Sequence, residues 1–157
     1  MPGIRADSVE FNTDTSRAIW SLLNDIDLAT GRPKPSMATR YGSMTFIWSH
    51  AGGSMLGLVG RFLGAAASTQ NLARVPEKDS RLYHLRRFYY DTAASTNPVQ
   101  MQALKSLVGT SQIVFGTDYP FVAQAVTVAN ALQDCGFAPD ELRAIERDNA
   151  LRLLRRP

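Results

Sequence analysis

Residues 113–120 read IVFGTDYP, which is a short apolar run followed by an acidic residue and a proline. The apolar residues 113–115 are typical of a buried β-strand, and Asp118 follows them before Pro120 ends the extended segment. A helical pattern begins at the next residue. This arrangement is typical of a parallel α/β sheet, because such sheets build active sites where the carboxyl ends of neighbouring strands converge.

The same arrangement occurs earlier in the chain, where residues 44–53 read MTFIWSHAGG. Apart from Thr45 and the last residue, Ser49, residues 44–49 are apolar on both faces, as expected for a parallel strand that helices cover. His50 follows this strand, and two glycines then break the extended pattern. We therefore expect His50 and Asp118 to lie at one edge of the sheet and to be the leading catalytic candidates.

Each candidate also has a purely structural interpretation. Asp118 can cap the helix that follows it, and His50 can be a hydrogen-bonded histidine at a strand end with no part in catalysis. Asp91, at the end of the run FYYD, is either a site residue or a cap of its own loop. His84 lies in a run of charged residues without the spacing of a metal ligand, so it is predicted to lie at the surface. The paired glycines after His50 favour a close approach of the backbone to a ligand.

Four strings resemble, in this order, the carboxyl-terminal half of the amidohydrolase superfamily. They are FIWSHAGGSM (46–55), FYYDTAAS (88–95), IVFGTDYPF (113–121) and AIERDNALRLL (144–154). The most similar branch is that of the metal-dependent decarboxylases related to aminocarboxymuconate-semialdehyde decarboxylase, γ-resorcylate decarboxylase and 6-methylsalicylate decarboxylase. The resemblance runs from about Ser8 to Leu154 and is interrupted at residues 26–42. The shared order makes it specific, since any one string alone can occur by chance.

The resemblance implies an α/β fold that is a partial (β/α)8 TIM barrel, made of the C-terminal βα units of a metal-dependent hydrolase barrel. We expect a single domain over residues 1–157. A complete barrel takes about 250 residues, and only three strands are predicted, at 44–49, 88–90 and 113–115. The chain is therefore expected to supply the last βα units, with the earlier strands absent.

The resemblance also implies a metal site. Family members hold a divalent metal, most often zinc and in some cases manganese, with a His-x-His pair, a further histidine and an aspartate on the last strand. Asp118 matches that aspartate, and His50 matches the HAGG histidine, whose implied role is that of a general acid/base. The chain has 2 histidines and no His-x-His pair, whereas a catalytic zinc needs about three protein ligands. We expect the isolated chain to bind metal weakly.

The activity implied is that of a metal-dependent carboxy-lyase acting on a small aromatic or unsaturated carboxylate, with His50 helping to protonate the carbon that bears the carboxylate. Two alternatives stay open. One is hydrolysis of a lactone or amide at the same kind of metal centre. The other is a catalytically inactive, truncated remnant, which the missing ligands and the irregular residues 26–42 favour, although the intact motif spacing favours recent descent from a working enzyme.

The composition indicates which kinds of partner and which cellular compartment are expected. With 157 residues, 45% hydrophobic and 20% charged, the sequence is typical of a globular protein, and its small, dispersed net charge of +3 argues against nucleic acid as a partner. The single Cys135 fits a reducing compartment, and neither a signal peptide nor a membrane-spanning run is recognisable. We expect a cytoplasmic protein without membrane partners. Because strand 44–49 lacks its upstream neighbour, we also expect either self-association into a homo-oligomer or low solubility.

Helical spacing and punctuation predict the other elements. Helices are expected after a cap at Thr13 or Asp14, at residues 54–67, at residues 98–108 between the cap Asn97 and the stop Gly109, at residues 121–133, and from Pro139 onward. Residues 27–43 and 68–81 are expected to be irregular.

Overall fold

The structure is a computed structural model that describes residues 6–24, 29–32 and 34–154. They fall into two compact units, one from the described residues of Met1–Phe46 with Gly52–Arg87, the other from those of Ile47–Ala51 and Phe88–Pro157. The single domain expected over residues 1–157 stays a prediction. Within the described ranges, no helix combines the length and the apolar character needed to cross a membrane.

The first unit is helical. Its helices are α1 (Ala6–Leu23), α2 (Met37–Arg40), α3 (Val59–Leu63), α4 (Thr69–Leu72) and α5 (Arg81–Leu85). Helix α1 begins well before the predicted caps, and both residues lie inside it: the Thr13 hydroxyl donates to the Val9 carbonyl one turn back, and Asp14 pairs with Arg17. The prediction of a cap at Thr13 or Asp14 is therefore wrong, although the helical spacing that buries Ile19 is confirmed.

The predicted loops at 27–43 and 68–81 contain short helices. Helix α2 lies in the first, where the Ser36 hydroxyl accepts from the amide of Thr39, and helix α4 lies in the second. Residues 27, 28 and 33 of that first loop lie outside the described residues. Single serine caps suffice for such one-turn helices, and no apolar periodicity announces them.

The helix predicted at residues 54–67 is broken into a 3₁₀ segment (His50–Leu58), α3 and a second 3₁₀ segment (Gly64–Ala67). Its glycines lower helix propensity enough for tighter turns to replace the α-helix. Gly53 has φ +64°, and a Cβ there would overlap the Asn12 carbonyl of α1. One close approach that Gly53 permits is therefore to α1.

His84 is buried, with 1% of its surface exposed, so the prediction that it lies at the surface is wrong. Its Nε2 lies 2.9 Å from the Thr39 hydroxyl. Burial lowers the pKa of His84, the neighbouring Arg87 lowers it further, and Asp79 partly opposes both. The side chain of His84 therefore points to the interior of the unit, although charged residues lie close to it in the sequence.

Because the folded state lowers the pKa of His84, the unfolded chain takes up the proton first as the pH falls. We expect the free energy of unfolding to decrease as the pH falls below the ordinary histidine pKa of about 6.5. Urea unfolding between about pH 8 and pH 5 measures this slope. His84→Gln should flatten it, and an unchanged slope in that variant would assign the effect to other groups.

The second unit contains a parallel sheet of three strands, β1 (Ile47–Trp48), β2 (Tyr89–Asp91) and β3 (Ile113–Val114), in the order β1-β2-β3. The register pairs Ile47 with Tyr89 and Tyr90 with Ile113. The parallel α/β arrangement is confirmed. Strand β1 is shorter than residues 44–49, and Ile47 is 54% exposed because β1 lies at the edge of the described sheet.

Helix α6 (Pro98–Val108) has the predicted boundaries. The Asn97 side chain accepts from the amide of Gln100, Pro98 occupies the first position, and Gly109 ends the helix with φ 82°. Cap, first residue and stop are all local signals, so the sequence alone places this helix correctly.

The remaining helices are α7 (Ala125–Gln133), α8 (Pro139–Arg143) and α9 (Asn149–Leu154). Helix α7 begins later than predicted, and Phe121 is 85% exposed. Cys135 is buried. A π-helical turn (Ala144–Asp148) joins α8 to α9.

The π turn and Asn149 hold strand β3. Because the amide of Asn149 donates to the Ala144 carbonyl, the Ile145 carbonyl is free to accept from the amide of Phe115 at 3.0 Å. The Asn149 side chain, 1% exposed, donates to the carbonyls of Ile113 and Thr110 at 2.7 and 2.9 Å. The last helix therefore fixes the strand that leads to Asp118.

We expect Asn149→Ala to lower the free energy of unfolding by about 2 kcal/mol, because two carbonyls lose their donor in a buried place. Urea denaturation measures the change. Asn130→Ala, on an exposed position of α7, is the matched control and should be nearly neutral. Equal effects of the two substitutions would contradict the conclusion that Asn149 holds strand β3.

Candidate active site

Three loops follow the three parallel strands, and each begins with a titratable residue near the strand end. His50 follows β1, Asp91 ends β2, and Asp118 follows β3. All three residues belong to the second unit. The structure thus brings together the side chains that the strand-end pattern singled out.

The imidazole of His50 faces the carboxylate of Asp118. The distance from His50 Nε2 to Asp118 Oδ1 is 3.4 Å, and the two side chains are 17% and 29% exposed. This partial exposure leaves the pair open to solvent and to a small molecule.

Helix α7 begins at Ala125, and the residue before it is Gln124, so the interpretation of Asp118 as a cap of that helix is wrong.

Both residues have left-handed backbone conformations, with φ 55° at His50 and 66° at Asp118. Positive φ is uncommon for residues other than glycine, although His and Asp tolerate it better than most. Such backbone strain concentrates at functional sites, where the surrounding structure enforces it. Its presence at both members of the pair favours a functional role.

Asp91 connects two of the loops. Its Oδ1 accepts from the amide of His50 at 2.8 Å and from the amide of Ala93 at 3.1 Å. Burial raises the pKa of Asp91, while the two amide hydrogen bonds and the nearby His50 partly counteract that rise. The two interpretations of Asp91 are therefore compatible, since it caps its own loop and also holds the loop of His50.

Thr92 and Gln100 support the site, and the sequence analysis missed both. The Thr92 hydroxyl donates to the Gly116 carbonyl and accepts from the Gly116 amide, both at 3.0 Å. Gln100 Nε2 donates to the His50 carbonyl at 3.2 Å. A hydroxyl beside Asp91 at a strand end was a usable signal for Thr92, whereas no sequence pattern singles out Gln100.

The donor set for a metal is incomplete in the part of the chain that the structure describes. Asp118 offers a partly exposed carboxylate, as a metal ligand requires. No group of three His, Cys, Asp or Glu side chains able to hold a metal occurs among the described residues. A catalytic zinc takes about three protein ligands, so these residues fit one ligand position and do not make a complete centre.

A cavity of about 520 Å³ lies in the first unit. Its walls are aromatic and basic, formed by Trp20, Phe62, Arg17 and Arg61 among others. None of the predicted site residues lines it. The volume of this cavity is therefore no evidence about the chemistry of His50 and Asp118.

Residues 36–156 match the sequence model of the amidohydrolase family. This match covers most of the chain, so the chain belongs to the amidohydrolase family. The family membership inferred from the four strings is confirmed.

The chain is 34% identical over 106 residues to a 6-methylsalicylic acid decarboxylase of Penicillium expansum, a match that covers 58% of this chain and 29% of that protein. A solved amidohydrolase superposes with a TM-score of 0.74 at 21% identity, over 99% of this chain and 48% of the other. A 5-carboxyvanillate decarboxylase of Novosphingobium aromaticivorans, solved with manganese and a nitrobenzoic acid derivative, gives a TM-score of 0.68 at 16% identity, over 91% and 39%.

These comparisons confirm that the fold is part of an amidohydrolase (β/α)8 barrel. The chain spans less than a third of the length of the decarboxylase that it matches in sequence, and less than half of each of these solved chains.

Proposed function

We propose that this chain contributes His50 and Asp118 to the site of a metal-dependent decarboxylase that acts on a small aromatic or unsaturated carboxylate. The observation that carries the proposal is the His50–Asp118 pair, 3.4 Å apart at the carboxyl edge of a parallel sheet. The 34% identity to a 6-methylsalicylic acid decarboxylase supports decarboxylation over hydrolysis of a lactone or amide.

In this proposal His50 is the proton donor. Its Nε2 delivers a proton to the carbon that bears the carboxylate, and an electron pair of the ring or double bond forms the new bond to hydrogen. The bond to the carboxylate carbon then breaks, its electron pair restores the unsaturated system, and carbon dioxide leaves. The 17% exposure of His50 allows solvent to replace the proton.

Asp118 is the proposed metal ligand, and it also orients His50 through its Oδ1. A divalent metal held there would bind substrate oxygen atoms and stabilise negative charge on them. We propose zinc or manganese as the metal, and manganese is supported by its presence in the 5-carboxyvanillate decarboxylase. The further ligands must come from outside the described residues, either from another segment or from another polypeptide.

A chimera tests the proposal. The part of the Penicillium decarboxylase that corresponds to residues 36–156, the range of the family match, is replaced by those residues of this chain, and carbon dioxide release from 6-methylsalicylate is measured with added zinc or manganese. We expect turnover, and one deuterium in the product when the reaction runs in heavy water.

Two results would contradict the proposal. The first is a folded, metal-loaded chimera that releases no carbon dioxide from 6-methylsalicylate or related hydroxybenzoates. The second is hydrolysis of a lactone or amide without decarboxylation, which would support the alternative that the chain belongs to a hydrolase. The unaltered Penicillium enzyme is the positive control.

A further inference from the structure

Asp91 touches the loops that carry both proposed catalytic groups. Building on the proposed function, we propose that Asp91 is a positioning residue that fixes His50 against Asp118 by accepting a hydrogen bond from the backbone of His50. Asp91 would not touch the substrate. Its role is to set the geometry of the pair.

The first step of the argument is the hydrogen bond itself. Asp91 Oδ1 lies 2.8 Å from the amide of His50, and it binds the amide of Ala93 at 3.1 Å with the same oxygen. The bond to Ala93 orients the carboxylate within its own loop. The bond to His50 then holds a residue whose φ of 55° is unfavourable without support. Because the backbone of His50 is held, the position from which its imidazole extends towards Asp118 is fixed.

The second step concerns the loop of Asp118. A Cβ added at Gly116 would lie 3.0 Å from Asp91 Cβ and 3.2 Å from its Cγ, so the carboxylate packs directly against this backbone. Thr92, the residue after Asp91, holds Gly116 as well, because its hydroxyl bonds to both the amide and the carbonyl of Gly116. Asp91 therefore contacts the loop of His50 through a hydrogen bond and the loop of Asp118 through van der Waals packing.

The third step separates charge from geometry. Accepting two amide hydrogen bonds requires an oxygen at the position of Oδ1, and a negative charge is not needed for it. Asp91→Asn keeps an oxygen at that position, whereas Asp91→Ala removes it. Gly116→Ala keeps the charge but forces the carboxylate to move. These three substitutions therefore distinguish a positioning role from an electrostatic one.

The test uses the full 157-residue chain and needs no activity. Amide hydrogen exchange of His50 is measured by NMR, and modification of its imidazole by diethyl pyrocarbonate is measured by peptide mass spectrometry. The chain contains 2 histidines, and His84, which is 1% exposed, is the internal reference for an intact fold. Asp134→Ala, at an exposed acidic residue, is the matched control.

We expect Asp91→Ala to accelerate exchange of the His50 amide roughly 10-fold, the change that corresponds to losing one ordinary hydrogen bond. Modification of His50 should also become faster, while His84 stays protected. Asp91→Asn should remain within about 2-fold of the parent chain, because the acceptor is retained. Gly116→Ala should change both readouts in the same direction as Asp91→Ala.

Three results would overturn the inference. They are an unchanged His50 amide in Asp91→Ala, equal effects of alanine and asparagine, and an acceleration shared by the amides of α6 and β3, which would mean a general loss of stability. In an active chimera, Asp91→Ala should lower kcat with little change in KM, and an unaffected kcat would also overturn it. An inactive chimera would refute the proposed function and leave the exchange experiment to decide the position of His50.

Discussion

Replacing His50 by alanine in the active chimera is expected to lower kcat by roughly 10² to 10⁴, the loss typical of removing a general acid/base. The reason is that Nε2, 3.4 Å from Asp118 Oδ1, is the group proposed to carry the proton. Because His50 is not proposed as a ligand, the metal content should stay unchanged. The measurement is steady-state turnover beside metal per protein.

The control for His50→Ala is His84→Gln. His84 is the other histidine of the chain and lies in the first unit, so its substitution should reduce stability without reducing kcat of the folded fraction. Loss of metal in His50→Ala would make His50 a ligand. Turnover close to that of the parent chimera would give His50 the structural role that the sequence alone left open.

The parts of the fold that the sequence predicted correctly are those set by neighbouring residues. Helix α6 has its cap at Asn97, a proline at its first position and a glycine at its end, and the structure reproduces all three. The strand that ends in Asp91 was recognisable for the same reason, since the aromatic run before it is short, apolar and followed by turn residues.

The errors arise where tertiary contacts override local pattern. His84 sits among charged residues, yet packing and the Thr39 hydroxyl hold it in the interior. The π turn at residues 144–148 cannot be read from the spacing of apolar side chains. This turn leaves the Ile145 carbonyl free to accept a hydrogen bond from the amide of Phe115, which lies 30 residues earlier in the chain.

The candidate site follows the same division. His50 and Asp118 were found from their positions after predicted strands, because a parallel sheet brings strand ends together whatever the loops contain. Thr92 and Gln100 act through backbone atoms of other loops, at Gly116 and His50. Such contacts depend on how the loops fold, so a single sequence offers little evidence for them.

Replacing Asp118 by alanine in the chimera is expected to remove bound metal and turnover together, in contrast to His50→Ala. Losing a direct ligand should weaken metal binding by more than the roughly 10- to 100-fold typical of losing a residue that only orients a ligand. Turnover should recover in part when excess zinc or manganese is added, because the remaining ligands are intact. Metal analysis after dialysis and a metal titration of the rate provide the measurement.

The companion variants decide between a ligand and a residue that only shapes the loop. Asp134→Ala changes an exposed acid of the same unit and should leave metal and kcat unaltered. If Asp118 serves only to hold His50, its removal would lower kcat while the metal stays bound, and Asp118→Ala would then match His50→Ala in both measurements. Because His50 and Asp118 share one contact at 3.4 Å, only the pairing of metal content with kcat separates their roles.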